Sequence, residues 1–140
     1  MIAYAESSAV LAWILGEPSG EEVRDGLARA QRVVSSRLTV VECSRAIARA
    51  ALDGIIPPTA ELAALRLLDQ VSATWVTIEA TGRVLDRARR AFPREPVRTL
   101  DALHLATALY VQSALPPLAV VSLDERIRLN ALALLMTVVP

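Results

Sequence analysis

Four carboxylates in this chain stand where an α/β fold could use them: Glu6, Glu42, Asp101 and Asp124. Glu6 follows the short apolar run 1–5, and Asp124 follows the apolar run 118–121. Glu42 and Asp101 fall within the first turn or so of segments with helical patterning. In an open parallel sheet, ligands bind beyond the carboxyl ends of the strands, and helix starts face that same crevice, so acids in these places can converge on one pocket. Unrelieved, such a cluster is costly, because each negative charge raises its neighbours' pKa values and burial penalises every ionised group. A divalent cation relieves both. An all-oxygen donor set favours a hard ion, Mg²⁺ or Mn²⁺, with water and substrate phosphate completing the coordination. Phosphodiester hydrolysis suits such a centre: one ion, or two about 3.5 to 4 Å apart, activates water and neutralises charge on the phosphate and the leaving oxygen. Taken singly, each acid also has a plainer reading, since a carboxylate near a helix start complements the macrodipole by about 0.3 to 1 kcal/mol.

The elements that must position these acids can be read from the pattern. Residues 1–5 read as a strand, with Glu6-Ser7-Ser8 supplying a capping serine for a helix over 9–15. Gly16 to Gly20 break the pattern, and residues 21–29 resume as a short helix with Val23 and Leu27 four apart. Residues 32–35 read as a buried strand. A helix runs from Thr39 until Gly54 and the Pro57-Pro58 pair, and another spans 59–71 with Leu62, Leu65 and Leu68 at spacings of three. Residues 75–78 are strand-like, and 81–92 return to helix with Leu85, Ala88 and Phe92 on one side. After Pro93 and Pro96, Thr99 is placed to cap a helix over 100–113, closed by Pro116-Pro117. A strand at 118–121, a helix at 124–133 and a strand at 136–139 complete an alternation that implies a mainly parallel sheet between helical layers. No repeat or linker divides the chain, so residues 1–140 form one expected domain.

Composition narrows the chemistry. The chain is 54% hydrophobic and 21% charged, a balance that suits a folded domain rather than a disordered tail or a membrane span, and cytoplasmic residence is the expectation. A single cysteine, Cys43, permits no internal disulfide and no cysteine-rich zinc site. All 15 basic residues are arginine, so no mechanism that needs a lysine base, Schiff base or P-loop lysine is available. The same lack removes a phosphoacceptor receiver domain, and Glu6-Ser7-Ser8-Ala9-Val10 departs from a metal-dependent adhesion motif at its second serine. Acidic residues also number 15, so attraction to a polyanion must come from a local patch. Arg83, Arg87 and Arg90 recur on one helical face, followed by Arg94 and Arg98, and this stripe is either an RNA-binding surface or an ordinary solvated face paired with Asp86 and Glu95.

In order and spacing, these pieces resemble the PIN-domain family, specifically the VapC-type toxin ribonucleases of bacterial toxin-antitoxin modules. Tyr4-Ala5-Glu6-Ser7-Ser8-Ala9-Val10 is similar to the family's opening motif, Ser36 to Arg45 to its second acidic helix, and Asp101 to Ala108 to its third-acid helix. Val120-Val121-Ser122-Leu123-Asp124 resembles its final acidic turn. The resemblance implies a PIN-like three-layer α/β/α sandwich. Glu6, Glu42, Asp101 and Asp124 would hold Mg²⁺ or Mn²⁺ for hydrolysis of RNA to 5′-phosphate and 3′-hydroxyl ends. It also implies a cognate antitoxin protein and a homodimer, with Leu11, Trp13, Leu65 and Leu68 as apolar residues that could serve such contacts. Ser8 and Ser122 match hydroxyl positions beside the site, where they would bond a metal-bound water or a ligating carboxylate; for Ser8 an N-cap role explains the residue equally well. The opening acid is more often aspartate in the family, and Glu6 is one methylene longer. A catalytically silent PIN-like module that binds RNA or protein is the alternative reading. His104, three residues after Asp101, reads as a buried structural histidine, and Cys43 as core.

Overall fold

Ala3 and Ala5 point to one side of the first strand and Tyr4 to the other, and all three are fully buried, which is the mark of a strand covered on both faces. In the computed structural model, which describes residues 1–140, this strand, β1 (Ile2–Ala5), lies at the centre of a five-stranded sheet. The other strands are β2 (Arg32–Ser36), β3 (Val76–Ile78), β4 (Leu118–Val121) and β5 (Thr137–Val139), in the order β3-β2-β1-β4-β5. Every pairing is parallel. Each strand therefore ends at the same rim.

Helices cover both faces. Against Ala3, Ala5 and Val121 pack α1 (Ser7–Ile14), α2 (Gly20–Ala28), α3 (Arg37–Leu52) and α4 (Pro58–Ser72), through Val10, Val23, Ile47 and Leu68. Against Tyr4, Leu118 and Val120 pack α5 (Gly82–Ala88), α6 (Thr99–Ala114) and α7 (Glu125–Ala133), through Val84, Leu105 and Ile127. The three-layer α/β/α sandwich and its parallel sheet are as the alternation implied. Gly20 is fixed by space, because a Cβ there would sit 2.6 Å from the Ala12 carbonyl oxygen where α2 crosses α1. No helix is long and apolar enough to cross a membrane.

Several boundaries differ from the sequence reading, each for a local reason. α1 is capped by Glu6 and not by a serine: the Glu6 side chain accepts the Ser8 N–H, so Ser8 lies inside the helix. α3 starts at Arg37 under a Ser36 cap, which moves Glu42 into the second turn. Its place there owes little to the macrodipole, whose effect fades beyond the first turn. The cap of α6 is Arg98, without a side-chain cap bond, and Thr99 is the first helical residue. α5 stops at Ala88, and its buried residue is Val84, with Leu85 turned outward. Beyond it Phe92 folds into the core while the Glu95 carboxylate accepts the backbone N–H groups of Phe92 and Val97, bonds that a continuing helix would not leave free. Leu68 is fully buried and has no surface to offer a partner, whereas Leu11, Trp13 and Leu65 pack partly buried against the same core.

Candidate active site

The strand order brings β1 and β4 side by side, so the turns that leave them run together at the carboxyl rim. Glu6 is the first residue after β1 and Asp124 lies in the turn between β4 and α7. α3 and α6 start at the same rim and contribute Glu42 and Asp101. All four carboxylates line one cavity of about 230 Å³, together with Ser7, Ser8 and Arg98. The convergence expected from their positions along the chain is thus met by the geometry.

Each acid is held differently. Glu6 is buried, and its Oε2 accepts hydrogen bonds from the hydroxyls of Ser8 and, at 2.7 Å, Ser122. The Ser8 oxygen in turn accepts the backbone N–H groups of Leu123 at 2.9 Å and Asp124 at 3.1 Å, and Ser122 Oγ accepts the Asp124 N–H as well. These two hydroxyls therefore join the end of β1 to the turn that carries Asp124. Asp124 caps α7 through the Ile127 N–H, leaving Oδ2 toward Arg98. The Arg98 guanidinium lies 3.2 Å from Asp101 Oδ2 and 3.9 Å from Asp124 Oδ2, so these two acids share one positive charge.

Glu42 belongs to a buried chain of side chains. Its Oε1 lies 2.5 Å from His104 Nε2 and accepts the Ser7 hydroxyl at 3.0 Å, while His104 Nδ1 lies 2.8 Å from the Tyr4 hydroxyl. An ionised carboxylate only accepts, so His104 Nε2 carries the proton that it donates to Glu42. Burial pushes the Glu42 carboxyl upward, but the His104 hydrogen bond and charge, with the Ser7 bond, outweigh it and hold the group below the ordinary glutamate value. Burial first, then the Glu6 charge, raises the Tyr4 phenol well above its usual value, so it remains a neutral donor. Burial and the nearby Glu42 and Glu6 charges push the Cys43 thiol up to about 12, which keeps it protonated and agrees with a core role.

The structure separates the arginine stripe into three parts. Arg98 lies at the carboxylate cavity. Arg83, Arg87 and Arg90 line a different concavity with Tyr110 and Ser113 of α6. Arg94 joins neither cavity; its backbone is pinned by Asn130, which accepts its N–H and donates to its carbonyl. Sequence reading passed over Ser7 and Tyr4 and gave His104 no link to an acid. The spacing of His104 from Asp101 was a usable signal, but its partners come from β1 and α3 and only folding reveals them.

A family model described as PIN domain matches residues 3–134. The chain belongs to the PIN-domain family. Two curated relatives, both named Ribonuclease VapC35, from the CDC 1551 / Oshkosh and H37Rv strains of Mycobacterium tuberculosis, are each 34% identical to this PIN domain over 97% of its length and 94% of theirs. Its recognition as VapC-like therefore holds over nearly the whole chain. Among solved structures, Mycobacterium tuberculosis VapC20, described as a sarcin-ricin loop cleaving toxin, aligns with a TM-score of 0.64 at 15% identity over 91% of this chain and 93% of its own. PAE2754 from Pyrobaculum aerophilum aligns equally well, with a TM-score of 0.64 at 19% identity over 93% of this chain and 84% of its own. At those identities the two structures speak for the PIN fold alone.

Proposed function

We propose that this PIN domain is an endoribonuclease whose carboxylate cavity works with Mg²⁺ or Mn²⁺, and that it is the toxin of a toxin-antitoxin pair. The carrying observation is the convergence of Glu6, Glu42, Asp101 and Asp124 on one cavity, with Asp101 and Asp124 sharing a single cationic partner. The donors are oxygen only, as a hard divalent ion requires, and the shared Arg98 charge marks the place between the two aspartates where positive charge is favoured. No three acids, cysteines or histidines are gathered tightly enough to form a complete metal set. Magnesium does not need such a set, because one or two carboxylates suffice when water and substrate phosphate complete its shell. Asp101 and Asp124 would hold the ion directly, with Glu6 and Glu42 closing the set through water. When bound, the ion supplies activation of water and neutralisation of charge on the phosphate.

The chain's own groups do the rest. Ser8 and Ser122 fix Glu6 and the Asp124 turn in one register. His104 and Ser7 hold Glu42 by Oε1, so the ionised carboxylate can accept a hydrogen bond from the attacking water and orient it toward phosphorus. Arg98, most of whose side chain is exposed, can move from the aspartates to a phosphate oxygen of the substrate. Hydrolysis then breaks the bond to the 3′ oxygen and leaves a 5′-phosphate.

The name of the VapC35 relatives supports the ribonuclease reading and, with it, an RNA substrate; a cognate antitoxin, a homodimer and work in the cytoplasm belong to the same proposal. A silent RNA- or protein-binding module is the second reading, favoured by the internal partner that every acid already has. One experiment separates them: structured RNA incubated with wild type or Asp101→Asn in Mg²⁺, Mn²⁺ or EDTA. Cleavage by wild type should fall at least about a hundredfold in the variant, the size of effect expected when one preorganised charge is taken from a transition state, and vanish with chelator. Wild type that binds RNA but never cuts it would establish the silent module, and cutting indifferent to EDTA would end the metal mechanism.

A further inference from the structure

Arg83 and Arg87 lie on α5 and Arg90 just beyond its end, facing α6 across a concavity of about 210 Å³. Two of the three guanidiniums rest on aromatic rings: Arg83 lies 5.7 Å from the ring centre of Tyr110, and Arg87 lies 4.1 Å from that of Phe92. Seating a long cation on a ring limits its rotamers and presents its N–H groups in a fixed direction. Arg89 and Arg90 border the adjoining cleft with Asp86, the one acid there. The five ion pairs of the molecule are made by Arg24, Arg37, Arg98 and His104, and none involves this group. Burial, and then the charge of Arg90, lowers the Arg87 pKa, as happens when cations are crowded without a counterion. Crowded, preorganised and unneutralised guanidiniums form a site that an anion would complete.

We propose that this concavity is a second phosphate site, which takes a backbone phosphate of the RNA strand at a distance from the bond being cut. The proposal rests on the ribonuclease reading, and charge makes RNA the occupant, since guanidiniums seated against α6 without an ion-pair partner complement a polyanion. Asp101 stands in the first turn of that helix and Tyr110 nine residues later, roughly 14 Å along the axis at 1.5 Å per residue. At about 100° per residue Tyr110 also faces the opposite side of α6 from Asp101, so a strand held at the carboxylates passes along and around the helix, over at least about four nucleotide steps, to reach the arginines. Guanidiniums recognise phosphate by paired N–H donors, and Ser113 adds a hydroxyl at the same concavity.

The test uses full-length Asp101→Asn protein in EDTA, so that binding is read without cleavage, with a fluorescein-labelled single-stranded 20-nucleotide RNA as probe. Arg83→Gln/Arg90→Gln should weaken binding about tenfold at moderate salt. It should also flatten the plot of log affinity against log salt by about 0.7 for each phosphate that the variant no longer neutralises. Arg29→Gln/Arg49→Gln, the same charge change elsewhere on the surface, should leave both unchanged. Equal losses from the two pairs would reduce the effect to net charge and overturn the proposal, as would no loss from the first pair. Polyglutamate that displaces the RNA from the Asp101→Asn protein, but not from its Arg83→Gln/Arg90→Gln form, at equal charge concentration would assign the site to an acidic protein partner and also overturn it. Failure here with wild-type cleavage intact removes only the second site. Binding as expected with no cleavage by wild type removes only the enzyme.

Discussion

Two concavities of nearly the same size, about 230 and 210 Å³, occupy this small domain and are built on opposite plans. The carboxylate cavity draws on α1, α3, α6 and the turns that leave β1 and β4, and its acids are gripped by hydroxyls, a histidine and backbone N–H groups. The arginine concavity is shared between the eight-residue segment 83–90 and the C-terminal half of α6, and its charges are steadied by rings without being neutralised. Cutting a bond needs atoms fixed to a fraction of an ångström, and a network of short hydrogen bonds supplies that. Capturing a flexible polyanion needs positive charge that is held in place yet left without a partner, which ring-seated arginines provide at little cost to folding. Substitutions should therefore act through geometry in the first region and through salt-sensitive affinity in the second.

The sharpest way to break this contrast is to remove the imidazole at the centre of the acidic network. His104→Ala strands the Tyr4 hydroxyl, leaves Glu42 Oε1 with the Ser7 hydroxyl alone and opens a void, so urea unfolding should show a loss of about 3 kcal/mol, given about 1 to 3 for a stranded buried group and a further cost for the cavity. A loss below about 1 kcal/mol would mean the network is not rigid. Next in size, Glu6→Asp draws the carboxylate back by one methylene from Ser8 and Ser122. Although aspartate is more often found at this place in the family, the exchange should cost about 1 to 2 kcal/mol in the same assay, and unchanged stability would show that the serines adjust freely. On the basic side, Tyr110→Leu keeps every charge and removes one ring. RNA binding by the non-cleaving protein should weaken only two- to fivefold, corresponding to about 0.5 to 1 kcal/mol for an exposed cation–π contact, and stability should hardly move.

What could be read from the chain follows the same division. Strand and helix alternation, and acids placed at strand and helix ends, were enough for the sandwich and for the meeting of Glu6, Glu42, Asp101 and Asp124 at one rim, because sheet topology alone imposes that meeting. The grip on each acid was not legible. Glu6 displaces a serine as the cap of α1 because its own side chain reaches the Ser8 N–H, and Glu42 finds His104 only because α3 and α6, from opposite faces of the sheet, start at the same rim. The arginine stripe looked continuous at helical spacing, yet α5 ends at Ala88 and the chain turns inward at Phe92, which sends Arg94 and Arg98 elsewhere. Local pattern locates residues on their own element, and long-range packing decides whom they touch.

All five strands run the same way, so the short links that lead from α2 into β2 and from α6 into β4 turn at the end of the molecule away from the acids. Residues 29–31 and 115–117 are those links, and most of their side chains are exposed. An engineer who wished to graft a dye, an affinity handle or an inserted peptide would find in them attachment points whose disturbance has the full length of the sheet to die away before it reaches a carboxylate.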